Sequence, residues 1–324
     1  MRYHERVLAE LPYWFWAGVA ISLGLTLGSF LNVVIHRLPR GESVAYPASR
    51  CPACGAPIRP YDNVPVLSFL ILRGKARCCK APISPRYPLT ELLGGLCGWA
   101  ALAKVLVDAP SDVPLWTCAL LFLSYLALGL GLIAAIFIDL EFMLLPDEIT
   151  LGGAALGFLT TGLRHTGWVT SLTGAAVGFA LVYLPFILLY RVVRGHPGMG
   201  LGDAKLLVLA GAWFGWKGAL FALLVGAVQG TVVALVVLLV KGRLEEPVAV
   251  QEERALMLKE LATLEGEERE EHLREMAADP LAADAGEGIG KARIPFGPFL
   301  AIAIIEYLFF GEPLLDAYLS VLGS

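Results

Sequence analysis

Four stretches, residues 14–35, 115–138, 170–190 and 218–240, run apolar for about the 20 residues that carry a helix across a bilayer, or for longer. The last three hold no charge at all, and the first is broken only by Ser22, Thr26, Ser29 and Asn32. That first stretch has no small-residue cleavage site after a short apolar core, so it is expected to stay as a helix rather than leave as a signal peptide. Shorter apolar runs at 89–107, 149–163, 204–214 and 295–310 bring the predicted spans to about eight, the short ones packing inside a bundle. The pattern predicts an all-α, polytopic membrane protein.

Composition agrees with it. A hydrophobic fraction of 57%, a charged fraction of 17% and a mean hydropathy of +0.68 belong to the multi-span class. The net charge of −4 conceals an asymmetry: from Arg37 to Arg86 there are nine Lys or Arg against only Glu42 and Asp62. By the positive-inside rule this loop, residues 37–87, is cytoplasmic. Alternation then places 191–203 and 242–293 on the same side and both termini on the other. Arg191, Arg194, Lys205, Lys241 and Arg243 agree with that orientation, and Arg2 and Arg6 oppose it. The chain is thus expected to divide into a tail and first helix (1–36), a basic loop (37–87), helices two to seven (88–241), an acidic insert (242–293) and a last helix with its tail (294–324). Within the insert, Leu256, Leu258, Leu261, Leu264 and Leu273 suggest one amphipathic stripe, followed by a flexible link at 282–290. The insert reads as a solvated loop in preference to a partner-docking helix.

This topology brings two acids to one membrane face. Asp139 ends the third span, and Asp203 opens the sixth at the close of Gly198-Met199-Gly200-Leu201-Gly202-Asp203. Carboxylates beside hydrocarbon are expensive, so a pair at one depth reads as a functional site. Two carboxyls sharing a proton can activate water against a peptide bond. Helix direction assigns Asp203, at a partly positive N-terminus, the part of general base, and Asp139, at a C-terminus, that of proton donor. Gly200 and Gly202 would let an extended substrate backbone approach. Asp147, in Leu145-Pro146-Asp147, reads as a helix cap. Glu306, well inside the last span, is expected to be neutral or paired with a polar group such as Gln229.

Cys51-Pro52-Ala53-Cys54-Gly55 is one half of a zinc knuckle, and Cys78-Cys79 is the only pair on offer for the other half. Disulfides are not expected on the cytoplasmic side. A site of four thiolates (Cys51, Cys54, Cys78, Cys79) and one of three with a different fourth ligand both stay open. Cys97 and Cys118, inside apolar spans, read as core.

Several ordered motifs together resemble the bacterial prepilin leader peptidase and N-methyltransferase family, the type IV leader peptidases with a Gly-x-Gly-Asp aspartyl site. They are Gly28-Ser29-Phe30-Leu31-Asn32 through Leu38-Pro39, Cys51-Pro52-Ala53-Cys54 and Tyr61-Asp62-Asn63-Val64-Pro65. Further along come Ile83-Ser84-Pro85-Arg86-Tyr87-Pro88 with Glu91, Ile138-Asp139 to Leu145-Pro146-Asp147, Gly198 to Lys205, and Ile294-Pro295-Phe296-Gly297-Pro298-Phe299. The resemblance implies a multi-pass protein of the bacterial inner membrane, with Asp139 and Asp203 catalytic at its cytoplasmic face. It implies removal of the leader from type IV prepilins and from pseudopilins of type II secretion, then methylation of the new amine by S-adenosylmethionine. The partners it implies are those substrates and the lipid bilayer, with no nucleic acid.

The chain departs from the family pattern in one cysteine and in the length of the segment before Ile294. Where the second half of the loop usually has Cys-x-x-Cys, Ala76 holds the first position and Cys79 the second, and Cys78 is the candidate substitute. A loop of about fifty residues is too small for a doubly wound methyl-donor domain. Asp62, Asn63, Arg86 and Glu91 are polar candidates for the donor site, or equally for docking the loop by ion pairs. Two rival readings stand beside the first: a peptidase without methylation, and a non-enzymatic part of a secretion or transport assembly.

Overall fold

The computed structural model describes residues 12–108, 113–241 and 295–322, with scattered positions between 251 and 274. Its helices are α1 (Tyr13–Arg37), α2 (Arg86–Asp108), α3 (Leu115–Phe142), α4 (Asp147–Leu159), α5 (Trp168–Val182), α6 (Leu201–Lys241) and α7 (Gly297–Leu322). No strand occurs among the described residues, only the isolated bridges Arg50↔Pro57 and Lys75↔Pro82. By length and composition, five helical spans suffice to cross a membrane: Tyr13–Arg40, Arg86–Asp108, Leu115–Phe142, Trp168–Arg194 and Leu201–Val240.

Five and the expected eight differ for physical reasons. Helix α4, at 13 residues, and the apolar part of α7, Gly297–Gly311, are short. Helix α6 counts once although the chain breaks inside it at Gly215 (φ 69°, ψ −171°). A straight helix of 41 residues would run about 60 Å, twice a bilayer core. It does not run straight. The space a Cβ at Gly178 would fill is bounded by both Leu207 and Ala219, which a straight helix would hold about 18 Å apart. The chain therefore folds back at Gly215, as the separate runs 204–214 and 218–240 anticipated.

The described chain forms two compact units, Met1–Ala134 with Gly162–His165, and Ala135–Thr161 with Thr166–Ser324. In the first, α1 lies on α2 with almost no side chains between. A Cβ at Gly24 would overlap the Gly94 carbonyl, and one at Gly98 the Ala20 carbonyl. Helices in lipid gain little from burying apolar surface, so such close backbone contact supplies the van der Waals attraction instead. The basic loop is tied to α2, where the Glu91 carboxylate accepts the Val66 N–H at 2.7 Å, and α1 is tied to α2 where Asn32 Nδ2 donates to the Tyr87 carbonyl at 3.3 Å. In the second unit, Gly174 and Gly178 of α5 meet Gly211, Gly215 and Leu207 of α6 in the same way. Trp213, fully buried, donates from Nε1 to the Gly153 carbonyl of α4 at 2.9 Å.

Charges and indoles mark opposite ends of single helices. Helix α1 has exposed Trp14 at its start and Arg37 at its end; the span Trp168–Arg194 has exposed Trp168 first and Arg191 and Arg194 last. In α6, exposed Trp216 sits at the break beside Lys217, so this helix carries no such asymmetry. Trp favours the interface and Lys or Arg the inner face, a distribution in α1 and the span Trp168–Arg194 of the kind that the expected orientation calls for.

Of the acidic insert, residues 242–250 and 275–293 lie outside the described residues, and so does the expected link. The described positions between 251 and 274 are helical, as the leucine stripe anticipated.

Gly98→Ala is expected to cost about 1–3 kcal/mol by forcing α1 and α2 apart. Gly18→Ala, with nothing within 4 Å of the added carbon, should cost nothing measurable. Thermal unfolding of the two variants in one detergent checks both.

Candidate active site

Both aspartates lie in the second unit and both are buried, Asp139 at 5% exposure and Asp203 at 9%. Asp139 occupies the last turn of α3, which stops because Met143 adopts a positive φ of 51° and returns its N–H to the Asp139 carbonyl at 2.9 Å. Asp203 is the third residue of α6. The two carboxyls stand close enough for their charges to repel one another.

Each carboxyl is held by a backbone N–H. That of Gly200 donates to Asp203, so the third residue of α6 reaches back to the residue before its first, half of a capping box. Asp203 is a cap and a member of the pair at once. The N–H that serves Asp139 comes from Gly297, at the start of α7. Helix direction alone sets Asp139 against a negative helix end; a donor from the N-terminus of another helix offsets that.

Leu145, buried, is the apolar wall of the site. A Cβ at Gly202 would lie 3.0 Å from it, and a Cβ at Gly297 would lie 3.0 Å from it and 2.7 Å from Asp139 Oδ2. Gly200 is different, since an added carbon there meets nothing nearer than Asp203 Oδ2 at 3.7 Å. The two motif glycines thus have separate duties. Gly202 is small because Leu145 is against it, and Gly200 leaves open space beside the carboxyl.

The loop before the motif is anchored to α5. The chain continues from Val182 through a π-helical stretch, Tyr183–Leu189, that contains Pro185. Within that stretch the Tyr190 N–H goes to the Pro185 and Ile187 carbonyls, and the Phe186 carbonyl between them accepts the Gly198 N–H at 2.8 Å. Asp147 stands outside the pair. It opens α4 and forms an ion pair with Lys205 at 2.6 Å, which joins the starts of α4 and α6. Glu306 accepts from Gln229 Nε2 at 2.7 Å, the pairing expected of it.

The four loop cysteines belong to the first unit and come together, their sulfurs all within 4.8 Å of one another. Cys51 lies 3.7 Å from Cys79, Cys78 lies 3.9 Å from Cys79, and Cys54 lies 3.3 Å from Cys78. The edge of a tetrahedron of zinc–sulfur bonds is about 3.8 Å, so the set suits a tetrahedral ion. Two matching turns build it. In the first, Cys51 N–H donates to the Ala56 carbonyl and Gly55 N–H to the Cys51 carbonyl, both at 2.8 Å. In the second, Ala76 N–H donates to the Ala81 carbonyl at 2.8 Å and Lys80 N–H to the Ala76 carbonyl at 2.9 Å. Ala76 therefore holds the place of Cys51, and Cys79 that of Cys54. Cys78, two residues after Ala76, brings the fourth sulfur. The N–H groups of Ala53 and Cys54 pull the Cys51 thiol down to about 7, while the hydrogen bond with Cys54 foremost pushes Cys78 up to about 12. Without an ion the cluster shares protons, and a bound cation would displace them.

The polar candidates for a methyl donor are engaged otherwise. Asp62 pairs with Arg77 at 2.8 Å, Glu91 holds Val66, and Arg86 lies over the Tyr87 ring at 5.9 Å, within cation–π range. Glu91 docks the loop on α2, Asp62 braces the loop from within, and the described residues mark no place for the donor through either.

Comparison with known proteins decides what this constellation belongs to. Residues 22–105 match the bacterial peptidase A24 N-terminal domain, and residues 126–235 match the type IV leader peptidase family. The chain belongs to the type IV leader peptidase family. A prepilin leader peptidase/N-methyltransferase of Burkholderia pseudomallei (strain 1026b) is 34% identical over 94% of this chain and 89% of its own length. Relatives of the same name from Myxococcus xanthus (strain DK1622) and Aeromonas hydrophila are 38% and 37% identical, each over 72% of this chain and over 68% and 87% of their own lengths. No solved structure matches. The aspartate pair sits within the span matched to the leader peptidase family, and the cysteine cluster within the span matched to the N-terminal domain.

Sequence reasoning missed what Gly297 does. It appeared only as part of Pro295-Phe296-Gly297-Pro298, and the signal was the pair of prolines around a glycine at a helix start.

Gly200→Ala is expected to leave thermal unfolding unchanged, so that any activity it loses reflects substrate access. Gly202→Ala should lower the unfolding midpoint by pressing on Leu145. Unfolding and cleavage measured on the same preparations separate the two.

Proposed function

We propose that the protein is a membrane-embedded aspartyl endopeptidase that removes the leader from type IV prepilins and type II secretion pseudopilins, and that it then N-methylates the new terminus with S-adenosylmethionine. The observation that carries the peptidase is the pair of buried carboxyls, each fastened by one backbone N–H, at the ends of membrane helices in a chain of this family. The setting is the bacterial inner membrane, with the pair at the cytoplasmic face that the basic loop and the arginines mark.

The chemistry follows from the pair. A water between the carboxyls loses a proton to one of them as its oxygen attacks the scissile carbonyl carbon. The other carboxyl gives its proton to the carbonyl oxygen, and collapse of the tetrahedral intermediate expels the amine, which takes up a proton. Gly200 leaves room for an extended substrate backbone beside Asp203. The opposing N–H donors hold both carboxyls in place without solvent, which is where preorganisation is worth most.

Methyl transfer is supported by the names of the relatives. S-adenosylmethionine would supply the methyl group, and no residue here is assigned to it. Zinc at Cys51, Cys54, Cys78 and Cys79 would close the basic loop as a structural site, with no open position for catalysis.

Two experiments test these assignments. Intact mass of a prepilin co-expressed with the enzyme should show the leader lost and about 14 Da, one methyl group, gained with the wild type. It should show neither change with Asp139→Asn or Asp203→Asn, and cutting by both variants would remove the dyad. For the metal, the wild type purified under reducing conditions should carry one zinc per chain. Cys78→Ala should lose most of it, and Cys78→Ala with Ala76→Cys, which restores the matching turn, should regain it.

A further inference from the structure

We infer that Gly297 is a positioning residue for Asp139: its N–H and its lack of a side chain together fix where that carboxyl stands. The inference rests on the peptidase reading above.

The donor follows from an account of the first turn of α7. A helix begins with N–H groups that have no partner inside it. Here Pro298 has none to give. Those of Phe299 and Leu300 turn back to the Phe296 carbonyl at 3.1 and 3.3 Å. The N–H of Gly297 is the one left over, and it goes to the Asp139 carboxylate. Pro295, Phe296 and Pro298 thus shape a turn that aims one amide outward from a helix N-terminus, where a carboxylate is favoured.

Space gives the second half of the argument. A Cβ on Gly297 would stand 2.7 Å from Asp139 Oδ2, closer than such atoms approach, and 3.0 Å from Leu145 Cδ1. Leu145 is itself pressed against Gly202, beside Asp203. An added methyl would meet side-chain ends alone, and the nearest of them, the one that must give way first, is the carboxyl oxygen. Displacing a reacting group by about 1 Å costs on the order of a hundredfold in rate.

Other glycines between the same two helices serve as controls. A Cβ on Gly226 would lie 3.1 Å from Leu300 Cδ2 and 3.2 Å from the Leu300 backbone nitrogen, and one on Gly230 would lie 3.2 Å from Phe299 Cδ2, so both press on the same turn of α7 without meeting a carboxyl. If Gly297 only lets α6 and α7 pack, the three Ala variants should lose stability and activity alike.

The test is cleavage kinetics of a purified prepilin by full-length enzyme in detergent, for the wild type and for Gly297→Ala, Gly226→Ala and Gly230→Ala, with thermal unfolding of each. Expected is a fall in kcat of about a hundredfold for Gly297→Ala at an unchanged KM, with Gly226→Ala and Gly230→Ala within about threefold of the wild type. A wild-type rate in Gly297→Ala, or a parallel loss in all three that tracks their unfolding, overturns the inference and leaves the peptidase standing. Failure of the wild type itself to cut overturns the reading beneath it, and this inference with it. Should Gly297→Ala not accumulate, Gly297→Ala with Leu145→Ala takes its place, with the same two outcomes.

Discussion

A carboxyl group taken out of water must be given hydrogen bonds or it does not stay charged, and at the edge of a membrane there is little water to give them. The catalytic half of this protein is arranged around that constraint. Asp203 takes its bond from Gly200, inside its own helix start, and Asp139 takes one from Gly297, at the start of another. Side-chain donors would bring bulk or charge of their own. Backbone donors bring neither, but they require the backbones to come very close.

Close approach is what the glycines provide. Helices α5 and α6 touch through Gly174, Gly178 and Gly211, and α6 turns back at Gly215, which brings both of its halves against α5. The same device joins α1 to α2 in the other unit, where the cysteine loop is built. In lipid the contact is van der Waals packing and little else, so a single methyl group in these seams changes geometry as well as energy. Precision at the carboxyls and tightness between the helices are consequences of one choice of residue.

Much of this was legible in the chain. Long uncharged runs gave the helices, and the asymmetry of Lys and Arg suggested an orientation with which the exposed Trp14 and Trp168 are consistent. Asp139 and Asp203 could be paired because both end uncharged runs on one face, and Glu306 could be matched to Gln229 as the nearest neutral polar group. What stayed hidden was of another kind. Gly297 acts through its backbone, and no side-chain chemistry announces a backbone donor. Cys78 enters the cluster because Ala76 sits at the first position of a turn that copies the turn at Cys51, a symmetry of hydrogen bonds that the residue types do not display. The reading of Asp139 from its own helix alone failed to foresee the second helix facing it. Local direction is written in the sequence, whereas the neighbour that offsets it is set by tertiary contact.

The central claim is that the two carboxyls meet at one place. Oxidative cross-linking of Asp139→Cys with Asp203→Cys in native membranes, in a chain with its own cysteines replaced, tests it without substrate and without activity. The account predicts a disulfide in high yield, identified by the linked peptides after digestion, with none from Glu306→Cys and Asp203→Cys under the same conditions. Absence of the first link in folded protein, or equal yields from both pairs, would contradict it.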